Sequence, residues 1–97
     1  MKYYVIEPCS SANGVEIKLK DRRIALPAAE KALSKIGVII ASMPVVIVAK
    51  VRKYSVSVYG SGRIMVKAAK KPAAKDVNAL AVRLMVALEK GGAISPG

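Results

Sequence analysis

Met43-Pro44-Val45-Val46-Ile47-Val48-Ala49-Lys50-Val51-Arg52-Lys53-Tyr54-Ser55-Val56-Ser57-Val58-Tyr59-Gly60-Ser61-Gly62-Arg63-Ile64-Met65-Val66-Lys67-Ala68-Ala69 is the most strand-like run of this 97-residue chain. β-branched residues dominate it, as a pleated and half-buried surface prefers. It divides into three predicted strands: Val45 to Arg52, Tyr54 to Tyr59, and Arg63 to Ala68. Gly60-Ser61-Gly62 joins the last two, and glycine reaches positive φ at no steric cost, so a hairpin turn is expected there.

Successive side chains of a strand point to opposite faces. Val56 and Val58 share one face with Ile47, Ala49 and Val51 and with Ile64, Val66 and Ala68. The other face carries Lys50, Arg52, Ser57, Tyr59, Arg63, Met65 and Lys67. The aliphatic face needs a cover, and helices are the expected cover. The face with cations, hydroxyls and an aromatic ring has none in view.

Outward from this unit the pattern continues. Tyr3 to Glu7 reads as a strand stopped by Pro8, and residues 9–14 as a loop with turn chemistry at Asn13-Gly14. Val15, Ile17 and Leu19 alternate with Glu16, Lys18 and Lys20, a half-exposed strand, and Asp21-Arg22-Arg23 reads as a turn. Pro27 suits the first turn of a helix running to about Ile36, with Gly37 just beyond its end. Val38-Ile39-Ile40-Ala41 is a short apolar strand. Lys70-Lys71-Pro72 ends the sheet, and a long helix is predicted from Ala74 to Lys90. Val77, Leu80, Ala81, Leu84, Met85 and Leu88 make its apolar stripe. Gly91-Gly92 closes that helix. The expected fold is α+β, an antiparallel sheet of about five strands with two helices on one face. Residues 1–92 form the single domain and residues 93–97 a flexible tail.

Composition narrows the function. A hydrophobic share of 54% supports a packed core rather than a disordered chain. No apolar run approaches the roughly 18 residues of a membrane span. The N-terminal apolar segment is too short for a secretory signal, so a cytoplasmic protein without membrane partners is expected. Cys9 stands alone in a chain with no His, which points to a small, semi-buried residue rather than a metal site, and no cofactor is implied. The six carboxylates, Glu7, Glu16, Asp21, Glu30, Asp76 and Glu89, are scattered. With no phosphate-binding loop opening a helix, no enzyme is expected.

The net charge of +11 is uneven: residues 1–48 carry seven cations against four carboxylates, and residues 49–97 carry ten against two. A basic half points to a polyanionic partner, nucleic acid above all.

Met43-Pro44-Val45-Val46-Ile47, followed by the hairpin strands Tyr54 to Tyr59 and Arg63 to Ala68 and the Ala-rich helix from Ala74, resembles one repeat of the TATA-box-binding protein family. That family shows Phe-Pro-x-Val-Ile, then a Ser-Gly-Lys hairpin, a further strand and a long helix. The resemblance implies a half-saddle whose concave sheet face meets nucleic acid, with large apolar side chains wedging into base steps. By position the wedges fall on Met43 and Tyr59, and Arg63, Met65 and Lys67 fall on groove-facing positions of the hairpin's second strand. Only one repeat is present, so a saddle implies a homodimer, and no Phe is available as a wedge.

Together these readings give a non-catalytic module that binds DNA or RNA on its open sheet face. The candidate contacts are Met43, Lys50, Arg52, Ser57, Tyr59, Arg63, Met65 and Lys67. The alternative is a small interaction subunit, a homodimer or part of a larger complex, with no direct nucleic-acid contact.

Overall fold

The computed structural model describes residues 4–8, 14–69 and 73–96. In chain order the elements are β1 (Tyr4–Pro8), β2 (Gly14–Leu19), β3 (Arg22–Ile24), α1 (Leu26–Ser34), β4 (Val38–Ser42), β5 (Val46–Val51), β6 (Tyr54–Tyr59), β7 (Arg63–Lys67), α2 (Ala74–Lys90) and β8 (Ile94–Pro96). The fold is α+β. Six strands form one antiparallel sheet in the order β1-β2-β7-β6-β5-β4, and β3 pairs with β8 in a separate ribbon.

Strand period sets the two faces of the sheet. β6 alternates buried and half-buried residues along its whole length. Its buried Val56 and Val58 lie opposite Ala49 and Ile47 of β5 and opposite Val66 and Ile64 of β7. Ile17 of β2 continues this layer beside Ile64. Both helices press on it. Ala29 and Leu33 of α1 and Leu80, Ala81, Leu84, Met85 and Leu88 of α2 complete one core. Pro27 stands in the first turn of α1, where its missing donor costs nothing. After α1 the Gly37 N–H donates to the Leu33 carbonyl. A Cβ at Gly37 would collide with the Lys50 backbone carbonyl, so the chain passes this close to β5 only because the residue is glycine.

β4 is an edge strand with a register shift between Ile39 and Ala41. Such a bulge bends an edge and disrupts its ladder. No helix of the described residues is long and apolar enough to cross a membrane.

The sheet has six strands rather than about five. Arg22 and Arg23 belong to β3 instead of a turn, and residues 94–96 form β8 instead of a flexible tail. Ala93 is fully buried, and its carbonyl accepts from the Ala25 N–H at 2.7 Å, which ties the C-terminal segment down. Three-residue strands are too short to show a period, so sequence patterning misses them. β1 ends at Pro8, as expected, with Pro8 itself the last paired residue. This is allowed because β1 is an edge strand, where a missing donor can face outward. Cys9 and the Lys70-Lys71-Pro72 segment lie outside the described residues.

Candidate nucleic-acid interface

Among the described residues, no element covers the face of the main sheet opposite the helices. Cross-strand register arranges its side chains in three rows. The first runs Val38–Lys50–Ser55–Lys67–Gly14. The second runs Ala41–Val48–Ser57–Met65–Glu16–Glu7. The third contains Val46 opposite Tyr59, with Arg63 and its partner Lys18 further along. Lys50, Ser57, Tyr59, Arg63, Met65 and Lys67 therefore share one surface, as the alternation predicts. Lys50, Arg63 and Lys67 are exposed, and Ser57, Tyr59 and Met65 are half-buried.

Charge on this surface is not uniform. The Arg63 Nε–H donates to Glu16 Oε2 at 2.6 Å, and Lys18 Nζ lies 3.2 Å from Glu7 Oε1. The hydrogen bond from Arg63 holds the Glu16 carboxyl below its usual range. Desolvation opposes that hydrogen bond with a smaller effect, and the attraction of Arg63 and then of Lys18 adds to the lowering. The Arg63 guanidinium also stands 6.0 Å from the centre of the Tyr59 ring, at the outer limit of a cation–π contact. The β1–β2 side of the face is thus a network of paired charges. On the first row, Lys50 and Lys67 flank Ser55 with no carboxylate.

Two predicted contacts lie elsewhere. Arg52 is not in β5, which ends at Val51; it has φ 56° and begins the tight turn to β6. The strand-like alternation runs on through Val51-Arg52, but a two-residue hairpin turn needs positive φ, which ordinarily selects Asn or Gly. Arg52 and Lys53 instead border a cleft of about 240 Å³ shared with Asp76 and Arg83 of α2. Met43 is about half exposed and lines a depression with Leu26, Pro27 and Glu30 of α1. It therefore faces the helix side of the β4–β5 connection, away from the open-face rows.

The structure also adds residues. Ser55 shares the parity of Ser57 and bridges the two lysines of the first row. Lys18 and Glu16 enter through the β2–β7 pairing, which no local sequence signal encodes. Lys50 and Lys67 stand toward the β5–β6 end of the sheet, and their row is the most one-signed part of the open face. Comparison with protein-family models, curated proteins and solved structures gives no match for this chain.

Proposed function

We propose that the chain is a non-catalytic nucleic-acid-binding module working through its open sheet face. The observation that carries this reading is the row Lys50–Ser55–Lys67 on the open face, which bears no carboxylate. Lysines and a hydroxyl at this spacing suit backbone phosphates, which position a nucleic acid without reading its sequence. Tyr59 lies four residues along β6 from Ser55, roughly 13 Å away, and offers a ring to a neighbouring base. The resemblance to a TATA-box-binding repeat supports the same face, although Met43 no longer serves as a wedge in this arrangement.

Fluorescence anisotropy with duplex DNA, single-stranded DNA and RNA over a salt series tests the proposal. Each phosphate contact adds about 0.9 to the log–log salt slope for duplex and about 0.7 for a single strand. Lys50→Ala/Lys67→Ala should flatten the slope by about 1.8 or about 1.4. The loss of affinity is then about 60-fold or about 25-fold at 0.1 M salt and vanishes near 1 M. Both lysines are exposed, so the fold should tolerate their loss. An unchanged slope would remove the sheet face as the binding surface.

A second reading, self-association, is favoured by the β4 edge. Residues 36–49 contain no charged side chain, and Val38, Ile40, Met43 and Val45 within them are exposed. Edge strands are ordinarily protected by charge or cover. A second copy pairing along β4 would cover this edge. Sedimentation of wild type and Ile40→Lys would separate the cases: a concentration-independent monomer in both removes this reading.

A further inference from the structure

The helix layer carries a second charged surface, on the other side of the molecule from the open sheet face. Between α1 and α2 runs a cleft of about 700 Å³. Its floor is apolar: Ala32 and Ile36 from the α1 side, Val86 and Ala87 from α2. Its rims are basic: Lys31 and Lys35 on one side, Arg83 and Lys90 on the other. Among the described residues, no carboxylate lines it. Val86 is 45% exposed, and Val82, one turn earlier on α2, is 51% exposed.

An apolar strip held in water between charges of one sign has two unfavourable features. The strip is hydrated, and the four cations repel one another. An amphipathic anion relieves both. The distribution of the cations selects among such anions. Lys31 and Lys35 are one helical turn apart, and Arg83 and Lys90 two turns apart, so positive charge runs along both rims for roughly 10 Å. A fatty carboxylate would engage one end only. A phosphodiester chain would leave the apolar floor unmatched.

We propose that this cleft docks an acidic amphipathic helix of a partner protein. The apolar ridge of that helix lies on Ile36, Val86 and Ala87, and carboxylates on its flanks, a turn apart, meet Lys31 and Lys35 on one rim and Arg83 and Lys90 on the other. The proposal does not rest on the sheet-face reading, because the two surfaces share no residue. Together they would make the chain an adaptor holding nucleic acid on one side and a protein on the other.

The test uses a fluorescent helical peptide with a Leu ridge flanked by Glu, and an isomer of the same composition scrambled to destroy the ridge. Lys31→Gln/Lys35→Gln and Val86→Gln alter the cleft at exposed positions, so folding should be retained, as circular dichroism would check. Lys20→Gln/Lys75→Gln removes the same charge from exposed positions outside it. The amphipathic peptide should bind at least about tenfold more tightly than its isomer. Each cleft variant should weaken it by a similar factor, and the outside pair by less than about twofold. Equal binding of both peptides, or equal loss from the outside pair, would reduce the effect to net charge and overturn the proposal. So would phosphatidylglycerol vesicles or a short DNA duplex occupying the cleft in place of the peptide, read as binding lost in the cleft variants. None of these outcomes touches the Lys50/Lys67 salt series.

Discussion

If the open sheet face binds nucleic acid as proposed, Glu16→Gln should tighten that binding. In the wild type, Glu16 accepts from Arg63 at 2.6 Å while its own side chain is only 15% exposed, so part of the guanidinium's charge is already met within the sheet. Replacing the carboxylate by an amide removes one ionic partner of Arg63 and makes its guanidinium easier to recruit to a phosphate. A full added phosphate contact would steepen the duplex salt slope by about 0.9, so the gain has a ceiling of about eightfold in affinity at 0.1 M salt. Glu7→Gln is the internal comparison. Its pair with Lys18 is longer, 3.2 Å, and both side chains are 49% exposed, so solvent already screens it and the gain should be smaller. The assay is anisotropy against salt in both the wild-type and the Arg63→Ala backgrounds. The Glu16→Gln gain should shrink when Arg63 is absent. An equal gain in both backgrounds would mean that Glu16 acts by plain repulsion of the ligand and that Arg63 makes no phosphate contact. The same pair sets a pH dependence. The folded-state pKa of Glu16 lies below its unfolded value, so its contribution to stability is present above the usual glutamate range and is lost as pH falls through the lowered value. Over that acid window wild-type stability should fall relative to Glu16→Gln, while wild-type affinity for nucleic acid rises toward that of the variant.

Three further outcomes are expected. Leu84→Ala empties a fully buried position of α2 and should cost about 2–5 kcal/mol in urea unfolding. Gly62→Ala should destabilise more than Gly92→Ala: both glycines have positive φ, but a Cβ at Gly62 would stand 2.6 Å from the Arg22 carbonyl oxygen, whereas nothing lies within 4 Å at Gly92. Equal losses would mean that φ alone decides. Tyr59→Ala should weaken single-stranded binding by about 1–3 kcal/mol and, if the ring stacks on a base, the loss should persist at high salt.

The elements with a strong period were legible from the sequence. β6 and α2 fall on the predicted residues, because valines at every second position and the Val77, Leu80, Leu84, Leu88 spacing leave little choice. The sheet-face membership of Lys50, Tyr59, Met65 and Lys67 followed from the same parity. What was missed depends on contacts between distant residues. The Glu16–Arg63 pair exists only because β2 lies beside β7. Arg52 continued a strand-like alternation whose end is set by backbone geometry, not by the residue type. The cation-rimmed cleft draws on two helices far apart in the chain, and its one local sign was the i, i+4 spacing of Lys31 and Lys35 on α1 and its C-cap.

The order in which strands pair has a consequence for how the chain reaches this state. β5, β6 and β7 are sequential hairpin partners and close short loops. β2 must find β7 across 47 residues, as the Glu16–Arg63 pair records, and β8 must find β3 across roughly 70 positions. Loop-closure entropy delays such pairings, so the central meander is expected to form first and the two ends of the chain to join it late, on a millisecond-to-second scale. During that interval the uncharged residues 36–49 belong to a sheet still lacking β1 and β2. A chain that loses residues 93–96 would lack the strand that covers β3 and the buried Ala93 that anchors it. It should refold more slowly and aggregate at lower concentration, even though every residue of the open sheet face is still present.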